Sequence, residues 1–240
     1  KIIDFLYSFF KKFEWIIVAE KSDKKTINFL KKNKKKYLKY IIGTHLSAEL
    51  AFEKGIKKSK GKFINFHGDD DFYNLKNLKL INEKLFLTKS KWIIFDGNYI
   101  NENFKIIRKL ITFVKSFLLK NYGIIDLSTI NYIMTPSVFV QKKAYKKIGG
   151  LGIIKRSGSD YILWMKFNKK HRPKIIQKKL TFAMISSSTI SGKFELEKYF
   201  FLYRKMIENN KGGLLNSILI TTSISLVIFY NFVSKKIINK

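Results

Sequence analysis

Lys62-Phe63-Ile64-Asn65-Phe66-His67-Gly68-Asp69-Asp70-Asp71-Phe72-Tyr73 packs a short apolar strand, a turn and an acidic triplet into twelve residues. Phe63, Ile64 and Phe66 read as buried, Gly68 lets the backbone turn, and three carboxylates follow where the strand ends. Such a triplet is either a solvated acidic turn or a cation site. In an open α/β sheet the carboxyl edge is where ligands bind, and hard oxygen ligands suit Mg²⁺ or Mn²⁺ shared with a substrate's phosphates. His67 beside it is a ligand or phosphate contact on one reading and a packed histidine on the other.

Outward from this stretch, strand and helix alternate. Residues 1–13 carry apolar side chains at Ile2, Ile3, Leu6, Phe9, Phe10 and Phe13, a helical period. Glu14-Trp15-Ile16-Ile17-Val18-Ala19 reads as a strand, Thr26 as the cap of the next helix, and 37–42 as a returning strand. Ser47 opens a helix that ends before Gly61. Downstream come a helix near 75–87 and a strand Trp92-Ile93-Ile94-Phe95 that ends at Asp96-Gly97. Residues 98–134, with an apolar run over 110–119, read as an insertion packed over the sheet's ligand edge. Then follow the strand Ser137-Val138-Phe139-Val140, a helix over 142–148, a break at Gly149-Gly150 and a helix over 159–167. Asp160 falls in the first turn of that last helix, where the dipole favours a carboxylate. The alternation predicts an α/β fold with a doubly wound, mostly parallel sheet flanked by helices.

A chain of 240 residues, 46% hydrophobic, can bury one large domain plus an appendage. It has no cysteine, which removes disulfides and thiolate metal sites. The net charge of +31 would ordinarily point to nucleic acid or an anionic surface. All but four of the 48 basic residues are lysine, however, and bidentate phosphate and base recognition favours arginine. No nucleic-acid partner is expected, and the run over 31–36 reads as a solvated helix end; a basic nucleic-acid-binding protein is the alternative from another class. An anionic leaflet would still attract the chain.

The domain is predicted to occupy 1–185, with a helical tail over 186–240. Residues 194–205 read as an amphipathic helix, and 212–234 carry no charge. That run has the length to span a bilayer but is rich in Ser, Thr and Asn. Lysines on both sides, among them Lys211 and Lys235, suit a helix lying on an anionic leaflet, and docking on its own domain is the other reading.

Several blocks, taken in order, carry a family resemblance. Phe13-Glu14-Trp15-Ile16-Ile17-Val18, Ser22, Thr26, the run from Ala51-Phe52-Glu53 through Gly61-Lys62-Phe63-Ile64, and Gly68-Asp69-Asp70-Asp71 resemble the nucleotide-sugar half of family 2 glycosyltransferases with the GT-A fold. Pro136-Ser137-Val138-Phe139-Val140, Tyr145, Ile148-Gly149-Gly150 and Ser159-Asp160-Tyr161-Ile162-Leu163-Trp164 resemble their acceptor-side block. The resemblance implies a DXD-type motif at Asp69–Asp71. Asp69 and Asp71 would hold Mg²⁺ or Mn²⁺, and Asp69 and Asp70 would lie against the nucleotide-sugar, a UDP-sugar above all. It makes Asp160 the catalytic base toward a glycan or lipid-linked acceptor, in bacterial surface-polysaccharide assembly at the cytoplasmic face of the membrane. Lys155 and Arg156, just before Asp160, are phosphate or acceptor contacts or plain surface residues.

Two departures stand out. Where the family carries an Asp after its second strand this chain has Ala19, and Glu20, with Ser22 near it, is the substitute expected at the nucleobase. The family's first strand has no counterpart ahead of residue 1, so an amino-terminally truncated chain is expected, with weak or absent transfer. A degenerate glycosyltransferase without turnover is the alternative.

Overall fold

The computed structural model describes residues 13–45, 47–152, 158–185, 196–209 and 213–238. The helix expected over 1–13, Lys155, Arg156 and Lys211 lie outside these, save Phe13.

β1 (Trp15–Glu20) and β2 (Leu38–Gly43) pair in parallel, Trp15 opposite Leu38 and Glu20 opposite Gly43, across the helix α1 (Lys24–Lys32). α1 buries Ile27 and Leu30 and places Lys31 and Lys32 in its last turn, where the dipole favours cations. Its cap is Asp23 and not Thr26: the Asp23 carboxylate accepts from the Thr26 N–H at 2.9 Å. α2 (Ala48–Lys58) opens on the expected cap, Ser47 Oγ accepting from the Leu50 N–H.

The larger sheet contains β3 (Phe63–Asn65), β4 (Asp71–Tyr73), β5 (Trp92–Ile100), β6 (Ile106–Ile107), β7 (Val138–Gln141) and β8 (Lys174–Met184), in the order β3-β7-β5-β8-β4 with β6 on β5. The expectation of a mostly parallel sheet needs correction. β5 and β8 are parallel, but β7 runs antiparallel to both β3 and β5, β4 antiparallel to β8, and β6 antiparallel to β5. β3 and β5 therefore share a direction, as the alternation implied, and β7 is slotted between them. Parallel neighbours need a crossover of a dozen or more residues, and only five residues, 101–105, join β5 to β6.

β5 also outruns its expected end. It continues through Asp96 and Gly97 with register shifts on either side of Asp96. The Asp96 charge is met inside the sheet by Lys179 at 2.7 Å, and Lys179 also donates to the Gly97 carbonyl and to Ser116. A Cβ on Gly97 would come within 2.9 Å of Met134 Sδ, so the glycine marks a close approach and not a strand end.

α3 (Lys79–Phe86) follows one turn of 3₁₀ helix, and α4 (Lys109–Lys120) rests on β5 and β8. α5 (Lys142–Lys147) and α6 (Ser159–Lys170) complete the main core, in which Trp92 and Trp164 stack at 6.0 Å and the Phe66 ring meets Phe52, Tyr145 and Trp164. α7 (Leu196–Asn209) and α8 (Gly213–Ile238) form the helical tail. α8 docks on the domain through fully buried Ile220, with Ser223 donating to the Thr129 carbonyl and Asn216 accepting from the Thr129 hydroxyl. Among the described residues no helix is long and apolar enough to cross a membrane.

The two sheets are joined by Glu14. Its carboxylate accepts from the backbone N–H groups of Lys60 and Gly61 and from Lys39 Nζ at 2.5 Å. Burial raises the Glu14 carboxyl, but the bonds from Lys39, Lys60 and Gly61 outweigh it and hold the group below its ordinary value of 4.5. A depressed carboxylate contributes stability above its unfolded pKa, lost as pH falls through the lower folded one. Glu14→Ala is expected to cost about 1–3 kcal/mol at neutral pH in urea unfolding, from unpaired N–H groups, and the gap to wild type should narrow below pH 4.5. A gap that is constant with pH would contradict this role.

Candidate active site at the carboxylate edge

The acidic turn is shaped by Gly68. Its N–H donates to Asp71 Oδ2 at 2.9 Å, and a Cβ there would meet Asp70 Oδ1 at 2.6 Å and Asp71 Oδ2 at 3.0 Å. Two carboxylates thus close over a residue that has no room for a side chain. The pair so brought together is Asp70 and Asp71, while Asp69 is exposed at the tip of the turn. Burial, then repulsion from Asp70 and Asp69, pushes the Asp71 carboxyl up to about 7 against the opposing Gly68 hydrogen bond; burial and Asp69 raise Asp70 too.

That frustration tests the fit of a divalent cation. Two hard-oxygen donors close together, each penalised for its charge, are what such an ion relieves. Among the described residues no three of His, Cys, Asp and Glu converge on one point. A Mg²⁺ site needs only one or two carboxylates when substrate phosphates complete it. The residues therefore fit the ion in chemistry and number.

His67 takes the packing alternative. Its ring stacks on Tyr73 at 4.3 Å and meets Trp15 edge-on at 6.2 Å, and burial lowers its pKa to about 4, so it is neutral at pH 7. Its Nδ1 is buried without a hydrogen-bond partner among the described residues.

Asp160 stands on the same edge as the acidic turn. β3 ends, β7 begins, β8 ends and β4 begins at this edge, since β7 and β4 run opposite to their neighbours. A chain of hydrogen bonds follows it. Tyr73 donates its hydroxyl to Asn65 Oδ1 at 2.6 Å, and the Asn65 amide donates to the carbonyls of Pro136 and Val138 at 2.9 and 2.8 Å. Next to Pro136, the Thr135 hydroxyl donates to Asp160 Oδ2, and Asp160 Oδ1 accepts from the Tyr161 N–H at 2.8 Å.

Two glutamates that local pattern does not single out brace this region. Glu49 and Glu53, one turn apart on α2, reach the first residue of α6 and the segment from α5 to Leu151 respectively. Glu49 accepts from the Ser159 hydroxyl at 2.7 Å, and Glu53 accepts from the Tyr145 hydroxyl and from the Leu151 N–H at 3.2 Å. Gly149 and Gly150, both at positive φ, let the chain pass beneath Glu53. Acids spaced i, i+4 in a lysine-rich chain were the available signal. Glu53→Ala leaves the Tyr145 hydroxyl short of an acceptor, and an expected loss of about 1–3 kcal/mol in chemical unfolding follows. An unchanged midpoint would remove Glu53 as the brace.

Glu20 and Ser22 belong to the separate β1–β2 sheet. Glu20 is occupied at both oxygens, by the His45 N–H at 2.9 Å and the Lys21 N–H at 3.2 Å, and Ser22 lies exposed in the following turn. A cleft of about 360 Å³ lined by Asp126, Ser128, Asn168 and Lys169 lies toward the other end of α6 and contains none of the singled-out residues.

No protein-family model and no curated protein matches the sequence. Solved structures do match the fold. Crystal structures of S. aureus TarS residues 1–349 superpose with a TM-score of 0.61 at 17% identity, covering 83% of this chain and 56% of that one. The complex of that protein with UDP gives 0.59 at 15%, covering 89% and 62%, and the complex with UDP-GlcNAc gives 0.61 at 14%, covering 89% and 63%. This chain spans somewhat over half the length of those proteins. With its mixed α/β arrangement of sheet and helices, the chain has a GT-A-like fold.

Proposed function

We propose that this chain transfers a sugar from a nucleotide-diphosphate donor, a UDP-sugar, to a glycan or lipid-linked acceptor at the cytoplasmic face of a membrane. The observation that carries this is the shared edge: Asp70 and Asp71 close over Gly68 where β4 begins, and Asp160 is held by Thr135 where β7 begins. Support comes from fold neighbours whose structures hold UDP and UDP-GlcNAc. Asp71, with Asp69 or Asp70, would hold Mg²⁺ or Mn²⁺, which when bound supplies Lewis-acid stabilisation of a leaving diphosphate.

The chain's own residues do the rest. Asp160 takes the proton from the acceptor hydroxyl as that oxygen attacks the anomeric carbon. Thr135 and the Tyr161 N–H fix the carboxylate, so its position makes it effective. Glu49 holds the first residue of the helix that carries it, through the Ser159 hydroxyl.

The test is a panel of UDP-sugars with Mg²⁺ or Mn²⁺ and glycan or lipid-linked acceptors, read as UDP release and labelled product. UDP binding with weak acceptor-dependent release from at least one sugar is the expected outcome. Failure to bind UDP in calorimetry under any metal condition would overturn the reading.

A further inference from the structure

Helix α4 is apolar on both sides. Inward it buries Leu118 and Leu119; outward it shows Leu110, Phe113, Val114 and Phe117, which are 76, 69, 40 and 52% exposed. Their i, i+3, i+4, i+7 spacing makes one stripe along the helix. Phe104 and Ile106, 63 and 48% exposed, extend it ahead of the helix. A contiguous apolar surface of this kind marks a contact site.

We propose that this stripe is a membrane-contact surface, on which α4 lies in the plane of an anionic leaflet. The charge around it selects the occupant. Residues 103–125 contain Lys105, Arg108, Lys109, Lys115 and Lys120 and no acid. Lys105, Lys109 and Lys120 are exposed, one just ahead of the helix and one at each of its ends. Lysines flanking an apolar stripe lay their stems along the acyl boundary and their ammonium groups among anionic headgroups. A second copy of the chain fits poorly, because the symmetric contact would bring these lysines face to face.

The surface adjoins the acidic edge. Phe104 packs on Phe72 with ring centroids 5.3 Å apart, and Phe72 directly follows Asp71. α4 itself rests on β5 and β8, and β8 carries β4. An α4 seated on a bilayer would therefore hold the acidic edge close to the lipid surface. This goes beyond the transferase reading and does not depend on it. It also differs from attachment by α8, whose outward Leu214 and Leu215 are 79 and 72% exposed.

The experiment is sedimentation of the full chain with phosphatidylcholine vesicles with or without phosphatidylserine, in the absence of nucleotide. Wild type should partition to the mixed vesicles, and Phe113→Glu with Phe117→Glu should lower that partition by about tenfold or more, given two large apolar side chains withdrawn from the interface. Lys109→Glu with Lys120→Glu should lower it too, and Leu214→Glu with Leu215→Glu should lower it less. The chain has no cysteine, so a dye on Phe113→Cys reports this position alone. Its emission should shift to the blue with mixed vesicles, and a dye on Leu87→Cys should not. Equal binding to phosphatidylcholine alone, an unshifted Phe113→Cys dye, or loss confined to the α8 variant would overturn the proposal. So would a wild-type dimer that the α4 glutamates split without changing vesicle binding. UDP binding measured separately keeps a failure here apart from a failure of the transferase reading.

Discussion

Asp160→Asn is expected to lower turnover by roughly 10² to 10⁴, the usual contribution of a positioned general base, with donor binding essentially unchanged. The substitution is nearly isosteric. Asn keeps one oxygen, for the Tyr161 N–H that donates to Oδ1, and turns its NH2 toward Thr135, whose hydroxyl then accepts where it had donated to Oδ2. What it loses is the capacity to take a proton. Because the hydrogen bonds between Asp160 and the acidic turn run through Thr135, Pro136, Asn65 and Tyr73, the change should appear in kcat and not in nucleotide affinity. Thr135→Val is the companion variant. It leaves the base in place but unfastened, so it should lower kcat by less than Asp160→Asn does. Full turnover in Asp160→Asn would take this residue out of the chemistry.

The elements that were legible are those whose signal is local. Ala48–Lys58 follows from Ser47 and an apolar period, and the buried strand before the acidic turn follows from Phe63, Ile64 and Phe66. β8 was not legible, because Lys178 and Lys179 interrupt its alternation, and only tertiary structure supplies Asp96 to receive Lys179. The apolar run of β7 marks a strand, but its direction depends on which neighbours it falls between, something that local pattern does not encode. The same division runs through the candidate site. Asp69–Asp71 and Asp160 stand out by type and context, whereas Thr135 matters only because β7 starts beside α6. Glu20 shows the same limit: its position after β1 is legible, and the backbone N–H groups of Lys21 and His45 that orient its two oxygens are not.

Asp71→Asn should abolish the dependence of UDP binding on metal. In wild type, affinity with Mn²⁺ or Mg²⁺ should exceed that in EDTA by at least 10- to 100-fold, since even a supporting residue at a metal site is worth about that much. The variant should bind UDP equally with and without the ion in calorimetry. A second readout separates a ligand from a merely structural carboxylate. Burial and the neighbouring Asp70 and Asp69 raise the Asp71 carboxyl from 3.8 to about 7, so in metal-free protein its charged form is disfavoured. Relative to an uncharged side chain, the folded state carries no penalty below pH 3.8, and the penalty grows until pH passes about 7. Asp71→Asn in EDTA should therefore be at least as stable as wild type at pH 8, and the advantage should fade as pH falls toward 4. Adding Mn²⁺ with UDP should reverse the order, because binding to the native state alone stabilises wild type by mass action. A variant less stable than wild type in EDTA at pH 8 would mean that the Gly68 hydrogen bond, and not a cation, is what the Asp71 carboxylate serves.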